Sequence, residues 1–166
     1  MIKSNLFIIT LLVLYSCKAQ FNLVSNYKEF DLSNKKLTLK KANKKLSKIK
    51  NIKVLNLRDN ALNRIPEAVF ELKDIEILDL SNNKIDSLYA NIYKLKNLRT
   101  LYLSGNKLEY VSPEVKKMKK LRTVILIGLY TDEERRKFRA QFCYRVKLVF
   151  YRDLPNPYGL AACINQ

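Results

Sequence analysis

One pattern repeats three times, 23 residues apart, and limits what residues 52–109 can fold into. The first copy runs Ile52, Leu55, Leu57, Asn60, Leu62; the second Ile75, Leu78, Leu80, Asn83, Ile85; the third Leu98, Leu101, Leu103, Asn106, Leu108. Isoleucine for leucine is the only variation. A fixed period of this length means one structural unit copied, and a single copy is too small to bury its own apolar residues. Copies must stack so that each covers its neighbour. The intervening residues keep the same period. Leu62, Ile65, Val69 and Leu72 recur as Ile85, Leu88, Ile92 and Leu95, and again as Leu108, Val111, Val115 and Met118. Each copy also opens alike, with Ile49-Lys50-Asn51, Leu72-Lys73-Asp74 and Leu95-Lys96-Asn97.

Two leucines spaced by one residue point to the same side of a strand. Here that side is the core, so each L-x-L predicts a short strand stacked in parallel on the next. An asparagine three places after the second leucine can turn inward. Its amide can then bond turn backbone that would otherwise be buried unpaired. Asn60, Asn83 and Asn106 are therefore expected to form a ladder. The copies resemble the leucine-rich repeat family in its short 23-residue form. They are similar to the intracellular-type and bacterial members, including bacterial leucine-rich repeat lipoproteins, rather than to the disulfide-capped extracellular animal ones. The resemblance implies an α/β fold: a curved, right-handed solenoid with short parallel strands on its concave face.

The flanks divide the rest. Residues 1–16 read as an export signal, with Lys3 before the apolar core Leu6–Leu14. That core is shorter than the ~20 residues a membrane span needs. Leu14-Tyr15-Ser16-Cys17 resembles a bacterial lipobox, in which Cys17 carries lipid; the alternative is ordinary cleavage after Ala19. Residues 17–48 are expected to hold an N-terminal cap and a degenerate first repeat. There Leu32-Ser33-Asn34-Lys35-Lys36-Leu37 parallels Leu80–Ile85, and Leu32 precedes Leu57 by 25 residues instead of 23. Residues 49–130 hold the repeats and end on a fourth strand at Leu121, Val124 and Leu126, with Leu129 in the asparagine position. Residues 131–166 are expected to form a C-terminal cap and tail. Thr131 and Glu134 fit a capping box at the start of a helix to about Gln141, and Val146–Tyr151 has the content of a strand.

Composition narrows the chemistry. The chain has no histidine, which removes the commonest general base, Ser-His-Asp and Cys-His arrangements, and His-bearing zinc sites. No phosphate loop, nucleophile motif or recognisable carboxylate pair appears. No catalytic residue, cofactor or metal site is therefore assigned, and the chain is not expected to be an enzyme. The cysteines are Cys17, Cys143 and Cys163. In an exported protein Cys143 and Cys163 can pair and tie the tail to the cap. The formal net charge is +17. A lysine-rich solvated surface accounts for it, as does a polyanion or anionic-surface binder using the lysine-rich caps, where Lys40, Lys41, Lys44 and Lys45 cluster. A nucleic-acid partner is not expected.

The resemblance implies binding through the residues around each L-x-L on the concave face. By spacing these include Asn56 and Arg58, then Asp79 and Ser81, then Tyr102 and Ser104, then Ile125 and Ile127. Asp59, Asn82 and Gly105 follow in the same copies. Tyr102, Ile125 and Ile127 make either an apolar corner open to a partner or a surface covered by the C-terminal cap. The function expected is non-catalytic protein binding at the cell envelope, lipid-anchored through Cys17, or periplasmic or secreted if cleavage follows Ala19.

Overall fold

In the computed structural model, the outward and inward alternation of L-x-L builds a six-stranded parallel sheet. The structure describes residues 28–128 and 130–150. The expected export signal, Cys17, Cys163, Leu129 and the tail from residue 151 lie outside the described residues.

The sheet strands are β1 (Glu29–Asp31), β2 (Val54–Asn56), β3 (Ile77–Asp79), β5 (Thr100–Tyr102), β7 (Thr123–Leu126) and β8 (Lys147–Phe150), paired in that order. Phe30, Leu55, Leu78, Leu101, Val124 and Leu148 stand in register across it. The four central members and the second leucines, Leu57, Leu80, Leu103 and Leu126, are all fully buried. All twelve residues of the periodic return half, from Leu62 to Met118, are buried as well. Sheet side and return side thus share one core. Burying one such side chain contributes about 1.5–3 kcal/mol, so most stabilisation is spread evenly along the array.

The return half is built from short 3-10 turns, Glu67–Glu71, Ala90–Lys94 and Pro113–Lys117. Pro66 caps the first and Pro113 opens the third, where a fixed φ and a missing N–H do no harm. Sequence patterning did not foresee a second, two-stranded parallel sheet, β4 (Ser87–Leu88) with β6 (Tyr110–Val111). Before β2 the return segment is instead a true helix, α1 (Leu39–Leu46), with Thr38 as N-cap. It has eight residues where the 3-10 turns have five, which accounts for the longer spacing of the opening repeat. Ala42 and Leu46 are its buried face, and Asn43 Oδ1 accepts from the Ala68 amide at 2.9 Å, tying it to the next repeat.

The asparagines form the expected ladder. Asn83 Nδ2 donates to the carbonyls of Leu57, Leu80 and Ser81, at 3.0, 2.9 and 3.1 Å. Its Oδ1 accepts from the Leu62 amide at 3.1 Å. Asn106 does the same one repeat on, to Leu80, Leu103 and Ser104, and from Ile85. Asn60 bonds Leu32, Leu57, Arg58 and Leu37. Each amide therefore joins two repeats.

The array ends on Tyr130. Its hydroxyl donates to the Asn106 carbonyl at 3.3 Å. Burial raises its pKa, and the Leu108 amide opposes that rise. Leu108 holds the position whose amide, in the repeats before, is bonded by the next asparagine, so the tyrosine oxygen stands where the ladder runs out. Its ring meets Phe138 edge-on at 5.4 Å and Phe150 at 6.1 Å. Phe138 lies on α2 (Asp132–Gln141), whose capping box between Thr131 and Glu134 is formed. We expect Tyr130→Phe to cost about 1 kcal/mol, the net worth of a hydrogen bond, while the rings stay packed. Urea unfolding should show a lower midpoint at an unchanged slope.

Candidate functional site: the outward rows of the parallel sheet

Strand alternation sends every second residue away from the core. Register then places Asp31, Asn56, Asp79, Tyr102, Ile125 and Val149 in one row. Strands lie about 4.8 Å apart, so neighbours in the row touch or nearly touch. A second row holds Glu29, Val54, Ile77, Thr100, Thr123 and Lys147. Just beyond the strands, Arg58, Ser81, Ser104 and Ile127 continue the outward series.

The polar members of the first three repeats are engaged with their own turns. Asp31 accepts from the Ser33 amide at 2.8 Å, Asn56 from Arg58 at 3.0 Å and Asp79 from Ser81 at 2.8 Å. This is the local side-chain-to-backbone bond that short polar residues favour. Asn56 and Arg58 remain half-buried. Asp79 and Ser81 are corrections to the sequence reading: their exposures are 5% and 2%, so neither offers contact area. Burial pushes the Asp79 carboxyl above the usual range, against the Ser81 hydrogen bonds and the Arg58 charge, which pull it down. Ser104 is half-buried, and its hydroxyl accepts from the Ile127 amide at 3.2 Å.

Asp59, Asn82 and Gly105 are turn residues. All three have positive φ, at 54°, 53° and 68°. Asn82 donates to Asp59 at 2.7 Å. A Cβ at Gly105 would meet Asn82 Oδ1 at 2.1 Å, so a larger residue there would have to displace the Asn82 side chain. Asp59 also holds Arg58 through an ion pair of 3.0 Å.

Tyr102, Ile125 and Ile127 are half-buried, with part of each side chain open to solvent. Strand β8 pairs beside Ile125 and leaves the isoleucine outward. It adds Val149, also half-buried, to the same row. Sequence reasoning missed Val149, although the alternation Val146–Phe150 carries the signal. The opening end of the sheet is acidic instead. Glu29 and Asp31 lie there, and Glu29 is raised first by burial and then by the Asp31 charge. In a chain of net charge +17, the outward strand rows carry Glu29, Asp31 and Asp79 against Lys147. The sheet is thus a polar-to-apolar strip set apart from the basic remainder. Cys143 is half-buried; its expected partner Cys163 lies outside the described residues.

Residues 50–108 match the family model described as leucine rich repeat. No curated protein matches the chain. Among solved structures, a leucine-rich repeat protein of Leptospira interrogans is similar, with 26% identity and a TM-score of 0.57. The match covers 69% of this chain and 28% of that one, so the chain spans less than a third of that protein's length. Its repeats, stacked parallel strands and asparagine ladder agree with both matches: residues 50–108 carry leucine-rich repeats, and the fold is that of a leucine-rich repeat solenoid.

Proposed function

We propose that the chain is a non-catalytic binding module that recognises a protein through the outward rows of its sheet. The family is one of protein-binding modules, and the step from fold to this surface is an analogy. The observation that carries it is the cluster Tyr102, Ile125, Ile127 and Val149, which leaves apolar surface in solvent on a rigid hydrogen-bonded sheet. Apolar surface grouped in this way marks interaction sites, and aromatic residues dominate their energetics. The acidic first strand adds a preference for a basic group on the partner about 20 Å away, four strand spacings from Asp31 to Ile125. Immobilised wild-type chain should retain a partner that Ile125→Asp chain loses. Equal retention by both would end the reading.

The module works at the cell envelope, held by lipid on Cys17. The reading is supported by the apolar segment that ends at that cysteine. Acyl chains contribute about 0.8 kcal/mol per buried CH₂, which is what anchors a polar domain. Cys17→Ser should therefore move the protein from the membrane fraction to the soluble one. A mature chain that begins, unmodified, at Gln20 would contradict the anchor.

A further inference from the structure

The edge between each return segment and the next strand carries its own periodic feature. Lys50, Lys73, Lys96 and Lys119 stand 23 residues apart, at the same place in successive repeats. Stacked repeats set such residues in a row, about 5 Å apart along the array. Between two of them lies a cleft of about 460 Å³, lined by Lys73, Tyr93, Lys94, Lys96 and Asn97. Its size suits one small ring-shaped group.

The charges in the cleft are unevenly matched. Lys73 is held by the Phe70 carbonyl at 2.6 Å and by Glu71 at 3.5 Å. Neither Lys94 nor Lys96 has an ion pair or hydrogen bond from its ammonium among the described residues. Lys94 is nevertheless half-buried. Its long stem lies on the protein while its head stays uncompensated. Asn97 is fixed: its amide donates to the Lys73 carbonyl at 2.9 Å, and its oxygen accepts from Lys120 at 2.7 Å, which brings in another cation. Tyr93 is 37% exposed, and the Lys117 ammonium sits 5.9 Å from its ring centre. One lysine row along the array and a cleft at its middle fit a linear polyanion whose units are small rings.

We propose that this edge binds an acidic polysaccharide, with one anionic sugar seated over Lys94 and Lys96. A single-stranded nucleic acid would require successive aromatic platforms for its bases. The cleft lining holds one aromatic side chain, Tyr93, already beside a cation. None of these residues belongs to the sheet strands, so the edge and the sheet can bind separately.

Polygalacturonate binding to the full chain, followed by calorimetry, tests it. Neutral dextran and single-stranded DNA of similar length serve as comparisons. We expect polygalacturonate to bind, dextran to fail and DNA to bind more weakly. The polygalacturonate affinity should fall steeply between about 50 and about 200 mM salt, as charges on a polymer require. The triple variant Lys94→Gln, Lys96→Gln, Lys119→Gln should lose about tenfold in affinity. The triple variant Lys40→Gln, Lys44→Gln, Lys45→Gln, which removes the same charge from α1, should change it less than about twofold. Equal losses in the two variants would reduce the effect to net charge and overturn the site. So would stronger binding to DNA, or no binding of polygalacturonate.

Discussion

Asn83→Ala should lower the unfolding free energy by at least about 2 kcal/mol. The residue is 7% exposed and sits at the middle rung. Its three carbonyl partners have alternatives: Leu57 O keeps Asn60, Leu80 O keeps Asn106 and Ser81 O keeps the Asp59 amide. The Leu62 amide has Asn83 Oδ1 as its partner, and Leu62 is fully buried. Alanine leaves that donor unpaired inside the core, at a cost of about 1–3 kcal/mol, and removes the bonds that tie two repeats together. Asn60→Ala should cost less, because Asn60 is half-buried and water can reach the freed groups. Chemical unfolding of the two variants beside Lys84→Ala, an exposed neighbour, gives the order. Equal midpoints for Asn83→Ala and Lys84→Ala would remove the ladder from the account.

The second large effect is on binding. Tyr102 lies between Asp79 and Ile125 in the outward row, with no share in the leucine core. Its half-exposed ring offers apolar area together with a hydroxyl, the combination that anchors interfaces. Tyr102→Ala should weaken partner binding by about 2 kcal/mol or more, roughly thirtyfold, with the unfolding midpoint close to wild type. Lys44→Ala and Lys45→Ala, on the exposed face of α1, should leave that affinity nearly unchanged at moderate salt. Essential lysines and a silent Tyr102 would favour a polyanion as the principal partner.

The core was legible because its residues obey a fixed period and have one task. Leu55 and Leu57 recur at Leu78 and Leu80, and their burial follows from spacing alone. The opening strand was legible as a repeat despite its altered spacing, since α1 absorbs the extra residues on the return side. The site was less legible. Spacing sends Asp79 and Ser81 to the outer side of the strand, and they are there; what it omits is that a short polar side chain can fold onto its own turn. Asp59, Asn82 and Gly105 look like surface choices in the sequence. Their shared left-handed backbone makes them one turn position that favours Asn, Asp or Gly. The β4–β6 pair was missed because two-residue strands have no alternation to detect. The cleft at Lys94 and Lys96 was also missed, since it depends on which lysines lack acids beside them.

Binding through the sheet can be read in the cell by crosslinking. A photoreactive side chain placed at Ile125, and separately at Lys137 on the exposed side of α2, would be activated in cells that produce the protein. A partner held on the sheet gives a discrete protein adduct from position 125, lost when Tyr102→Ala is added, and none from position 137. Adducts from position 137 alone, or adducts at 125 that persist without the tyrosine ring, would contradict it.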